Sequence, residues 1–147
     1  MSKPSYAQLM AEHDEIDRQC HALIRCVAHD HPDVTELSDR IAHLAHTVSD
    51  HIAVEEAVLD PMLADLAKRD DAKAAELLSM NAELDVLKHD WAAFLAAWTP
   101  ESILSDPTRF CDRFGAMLAR MRARVSRESS MLYAALLQSN AITLQRH

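Results

Sequence analysis

His51 and Glu55 stand four residues apart, so on a helix an imidazole and a carboxylate project from one face a turn apart and can close on one point. That is a chelating arrangement. His13, His89 and a second glutamate, Glu128, fall in segments with helical periodicity and complete a set of five residues of ligand type. Burying a carboxylate is costly unless its pKa rises or a cation compensates it, and both Glu55 and Glu128 fall on apolar stripes. Something positive has to sit between them. Imidazole nitrogen and carboxylate oxygen without thiolate suit iron, manganese or zinc more than copper(I), and iron is the first expectation.

Four helical segments have to carry these residues. The first, about Tyr6 to Ala28, has an apolar stripe at Leu9, Ile16, Cys20, Leu23, Ile24 and Val27, with His13 inside it. It stops at His29-Asp30-His31-Pro32-Asp33, because the residue before a proline avoids the helical region while the proline itself can open the next helix. The second runs from there to about Lys68 on a seam of Leu37, Ile41, Leu44 and Val48, then His51 and Glu55, then Val58, Leu59 and Leu63. Pro61 removes a backbone donor within it, which predicts a bend or an early end near Ala57.

The third segment, about Ala72 to Trp98, shows two faces: Leu84, Leu87, Trp91, Phe94, Leu95 and Trp98 on one, and Ala82, Val86, His89, Ala93 and Ala96 on the other. Thr99-Pro100-Glu101-Ser102 and Ser105-Asp106-Pro107 read as turn and N-cap chemistry. The fourth segment, about Pro107 to Ser139, then carries Phe110, Phe114, Met117, Met121, Arg124, Glu128, Met131, Leu132 and Ala135 on its stripe. The halves echo each other faintly. His13 and His51-Ile-Ala-Val-Glu55 correspond to His89 and Arg124-Val-Ser-Arg-Glu128, with separations of 38 residues from His13 to His51 and 35 from His89 to Arg124.

A length of 147 residues suits one domain over 1–147, and a single glycine with five prolines leaves too few turn residues for a many-stranded fold. The fold class is therefore all-α. A net charge of -8 argues against a nucleic-acid partner, whose phosphates call for clustered Lys and Arg. Cys20, Cys26 and Cys111 form no C-x-x-C pair, and their odd number does not suggest a disulfide framework. No apolar run approaches the ~20 residues of a membrane span, and the start lacks a signal-peptide pattern, so a cytoplasmic protein is expected.

The residues resemble the hemerythrin-like domains with the HHE cation-binding pattern over nearly the whole chain. The resemblance rests on Leu9-x-x-x-His13-Asp14-x-Ile16-Asp17, on His51-Ile-x-x-Glu55-Glu56-x-x-Leu59-x-Pro61, on His89, and on Glu128-x-x-x-Leu132-Tyr133. The helix-two motif is the most specific part. The resemblance implies an up-down-up-down four-helix bundle holding two irons, with Glu55 and Glu128 bridging, His13 and His51 on one metal and His89 on the other. Oxygen, nitric oxide or peroxide would meet the open position.

The chain departs from that pattern where a sixth ligand belongs, since Arg124 stands four residues before Glu128 and its permanent cation cannot ligate. Helix three is also thin, with Asp85 as the residue of ligand type four before His89. Arg124 can pair with Glu128 or Glu55 and replace a second metal's charge. The cofactor reading is therefore di-iron by resemblance, with a mononuclear or metal-free site as alternatives. No catalytic acid or nucleophile stands apart from the group, so a carrier, sensor or detoxifier of a small diatomic ligand or peroxide leads over an enzyme. The rival is a regulatory or interaction protein with a degenerate site.

Solvated positions are the expectation for His21, His29, His31, His43, His46 and His147, each too far from the group or in a loop. Glu56, Asp14 and Asp17 belong to the resembling motifs, yet Glu56 points about 100° from Glu55 and suits a capping or supporting role. One face of helix three is a candidate homodimer surface, with Trp and Phe as its anchors.

Overall fold

Side-chain caps set the helix starts of the protein, a computed structural model of which describes residues 3–29 and 33–144. Helix α1 (Tyr6–Val27) starts on Ser5, whose hydroxyl accepts from Gln8 N, and α2 (Val34–Ala67) on Asp33, which accepts from Thr35 N and Glu36 N. Helix α3 (Ala72–Ala97) starts on Asp71. Pro32, the expected opening of the second helix, lies outside the described residues; so do His31 and His147. Helix α2 continues through Pro61 to Ala67, so the proline does not end it early.

The stretch expected as a turn before the fourth segment contains a short helix, α4 (Pro100–Ser105), started by Thr99 and by Pro100, whose ring presets a helical φ. It places Ile103 in the core with no exposure. Helix α5 (Pro107–Arg127) starts on Asp106, and the chain then takes a π-helical turn, Glu128–Leu132, before α6 (Tyr133–Gln138). The expected single fourth helix is thus interrupted at Glu128. Helix α6 is closed just past its end by Asn140, in the left-handed region at φ 61°, with Ala141 N donating to Leu136 O and Asn140 N to Leu137 O. Beyond it Tyr6 N donates to Thr143 O at 2.6 Å, which ties the stretch after α6 to the start of α1.

Helix α1 packs on α2 and α5, and α3 packs on α2 and α5, so all the long helices share one interior. Two apolar clusters fill it. One contains Cys20, Leu23, Leu37, Leu44, Trp91, Phe110 and Phe114; the other contains Leu9, Leu59, Leu77, Met80, Leu132, Tyr133 and Leu136. The boundary between them falls at one level on every long helix: between Leu9 and Ile16, between Val48 and Leu59, between Met80 and Trp91, and between Leu118 and Leu132. His13, His51, Glu55, Arg124 and Glu128 occupy that level.

Trp91, Phe94 and Trp98 turn inward, and Phe94 packs against Phe110 and Phe114 at centroid separations of 5.9 and 5.8 Å. They pack into this chain's core. The other face of α3, Ala82, Val86, His89, Ala93 and Ala96, is exposed. Burial pushes the Cys20 thiol up to about 12, and all three cysteines are free.

Gly115 sits inside α5, and a Cβ built on it would meet nothing within 4 Å. Gly115→Ala should therefore raise unfolding stability by ~0.5–1 kcal/mol through a less flexible unfolded chain. Urea denaturation that shows no gain would mean that this turn of α5 resists ideal helical geometry.

Candidate metal centre

Helix α1 delivers His13 from the stripe that also buries Leu9 and Ile16, and α2 delivers His51 and Glu55 one turn apart. Glu128 enters from the first residue of the π turn. All four are buried, and one ligand atom from each lies within 4.8 Å of the others. His13 Nε2 is 2.9 Å from His51 Nε2, 3.4 Å from Glu128 Oε2 and 3.9 Å from Glu55 Oε2, while His51 Nε2 is 3.0 Å from Glu55 Oε2. A cation about 2.0–2.2 Å from each donor would hold neighbouring donors roughly 3–3.5 Å apart, so the separations suit one small ion. Two nitrogens and two oxygens also form the donor set that iron, manganese or zinc takes.

Three neighbours hold the donors. Glu12 Oε1 lies 2.8 Å from His51 Nδ1 and leaves Nε2 facing the centre, the orientation that a carboxylate behind a metal-binding histidine secures. Arg124 donates from Nε to Glu128 Oε1 at 2.7 Å and from Nη1 to the Met80 carbonyl at 2.5 Å. The guanidinium is therefore fixed to α3 and to Glu128 at once. Tyr133 Oη donates to Glu55 Oε2 at 2.9 Å, with Glu128 Oε2 at 3.2 Å and His13 Nε2 at 3.1 Å.

The two carboxylates titrate in opposite directions. Burial raises the Glu128 carboxyl, but hydrogen bonds from His13 and Glu55 and the charge of Arg124 outweigh it and bring it down to about 2. Glu55 is raised, by burial first and by the charge of Glu128. Burial alone would lower His51, yet its bonds to Glu55 and Glu12 leave it raised. Tyr133 is raised by burial and by both glutamates. The asymmetry follows from Glu128 gathering the bonds of His13 and Glu55 together with the charge of Arg124, while Glu55 faces the charge of Glu128.

His89 does not join the cluster. It is exposed, with Nδ1 2.8 Å from the Asp85 carbonyl of its own helix. The buried face of α3 is Leu77, Met80, Leu84 and Trp91, and His89 lies about 140° round the helix from Leu84 and about 160° from Trp91. Asp85 is exposed as well and faces Lys88 at 3.8 Å. Helix α3 thus brings an apolar wall to the site and no side-chain donor. Glu56 pairs with Lys88, and Asp17 pairs with Arg122 at 2.8 Å, so the support expected from them comes from Glu12 instead.

Beside the centre lies a cavity of about 270 Å³ whose walls include Val48, Ile52, Leu87, Trp91, Leu118 and Met121. His13, His51, Glu55, Arg124 and Glu128 also line it, so the donor atoms border a largely apolar space.

A family model of the hemerythrin HHE cation-binding domain matches residues 5–136, which span every ligand described above. The chain belongs to the hemerythrin HHE family. No curated protein and no solved structure matches it. For a hemerythrin HHE domain, the buried His and Glu cluster is the expected place for a cation, and His13, His51, Glu55 and Glu128 are its candidate ligands. Tyr133 was visible in the resembling motif but without a role, and Glu12 carried no sequence signal beyond its place beside His13.

Removing Arg124 should strand Glu128. Arg124→Met is expected to cost ~3–5 kcal/mol at pH 7, as for a broken buried pair. Glu128 contributes stability above its unfolded value, and that contribution is lost as pH falls toward about 2. The gap between variant and wild type should therefore narrow on acidification. Urea unfolding at pH 7 and pH 3 with an unchanged gap would show that Arg124 stabilises by packing and not by charge.

Proposed function

We propose that this hemerythrin HHE domain, an up-down-up-down bundle, binds one non-haem iron through His13, His51, Glu55 and Glu128, and that Arg124 stands where a second ion's ligand would be. The observation that carries the reading is the convergence of four buried donor atoms within 4.8 Å beside a guanidinium bonded to one of them. Two ions sharing two carboxylates need donors on the far side as well. There the chain supplies Arg124 and Leu84, and His89 faces solvent.

The cavity beside the donors supports a role in meeting a small molecule. Its largely apolar walls, with Lys88 and Arg122 among the polar groups that line it, suit a molecule as small as oxygen, nitric oxide or peroxide. In this reading His13, His51, Glu55 and Glu128 orient the ion, with Glu12 and Arg124 holding His51 and Glu128 in place. A bound iron would supply the open coordination position and the redox chemistry. Sensing, carriage or detoxification of such a ligand follows.

A second reading, a regulatory or interaction protein whose core needs no ion, is favoured by one observation. Arg124 and Tyr133 already donate to the two glutamates. Metal analysis separates the readings. Anaerobic loading with iron(II), removal of free metal and elemental analysis should give one iron per chain, unchanged in His89→Ala and lost in a His51→Ala, Glu55→Ala double variant. Two irons per chain would overturn the mononuclear reading, and none would leave the metal-free one.

A further inference from the structure

A π-helical turn of five residues separates Glu128 from Tyr133, and Tyr133 N donates to Glu128 O across it. In an unbroken α-helix the position five residues after Glu128 would lie about 140° away and face elsewhere. The longer i→i+5 turn brings it round toward Glu128's side of the helix. The effect is legible in what is buried: the stripe through Arg124 and Glu128 would continue to Met131, Leu132 and Ala135, whereas the buried residues are Leu132, Tyr133 and Leu136. Tyr133 has no exposure, and its hydroxyl ends among the donor atoms.

A phenol has one proton to donate, and a tyrosine serving only as core needs one acceptor for it. Tyr133 Oη instead lies 2.9, 3.1 and 3.2 Å from Glu55 Oε2, His13 Nε2 and Glu128 Oε2, three of the four candidate ligand atoms. Those separations match the distances between the ligand atoms themselves, so Oη completes a fifth corner of the same donor set. We propose that Tyr133 is a metal ligand of this site, binding as phenolate and giving a five-donor centre with His13, His51, Glu55 and Glu128. The inference rests on the mononuclear reading above.

Coordination here is a ligand exchange. The bond from the metal to Oη forms as the Oη–H bond breaks, the proton leaves to solvent, and no electron changes hands; metal ligation of this kind releases a proton from the ligand. With Glu55, Glu128 and the phenolate, the ion would face three anionic oxygens, partly offset by Arg124. Such a set holds a trivalent ion more tightly than a divalent one on simple Coulomb grounds.

The test reads the ligand directly. The full chain loaded with iron and oxidised to the ferric state should show a visible phenolate-to-iron charge-transfer band with phenolate ring modes in its resonance Raman spectrum. Tyr133→Phe should lose both while still binding one iron. The chain has two tyrosines, and Tyr6→Phe should leave the band in place. If Tyr133→Phe does not fold, uniform labelling of the Tyr6→Phe chain with 3-fluorotyrosine should shift the band, since only Tyr133 then carries the label. Iron bound without a phenolate band, or a band that survives in Tyr133→Phe, overturns the inference and leaves the mononuclear site standing. No iron bound at all overturns the reading beneath it.

Discussion

Glu55 and Glu128 bury two carboxylates at one level of an apolar bundle, and the choices around them answer that concentration of negative charge. Without compensation such a pair would be a large liability in a medium of low dielectric. Arg124 meets Glu128, while His51 meets Glu55 and is itself met by Glu12. The same polarity explains why the core is divided. Two apolar clusters lie on either side of the charged level, and each long helix changes from apolar to polar and back as it passes, except α3, which stays apolar through Leu84.

The π turn belongs to the same economy of space. Five residues in one turn give the final helix a different face after Glu128 from the face it had before. Before the turn the face delivers Phe110, Phe114, Met117 and Arg124; after it, Leu132, Tyr133 and Leu136. A regular helix on the earlier register would have placed Ala135 at the core and turned Tyr133 away. The irregularity therefore puts a large aromatic side chain both under the second apolar cluster and against the carboxylates.

Much of this was legible in the sequence because it is local. The spacing of His51 and Glu55, the cap at Asp106 and the apolar stripe of α1 follow from helical periodicity and local capping, which act over short distances. The Arg124 pairing was legible too, since a cation four residues before a buried glutamate has an obvious partner. What was hidden depends on rotation about a helix axis. His89 was placed by analogy between halves, but the buried face of α3 is fixed by Met80, Leu84 and Trp91, and their register turns it outward. The π turn left no mark in residue types, so the shift to Tyr133 was missed. Glu12 was overlooked because its partner lies 39 residues away on another helix.

The apolar face of α3 and the cavity beside the centre belong together. On the α3 side Leu84, Leu87 and Trp91 line it, beside Lys88. Arg124 reaches across the level to the Met80 carbonyl, which anchors the apolar helix to the charged one without adding a side-chain donor to α3. An asymmetric core results, with imidazoles from α1 and α2 on one side of the carboxylates and a hydrocarbon wall on the other.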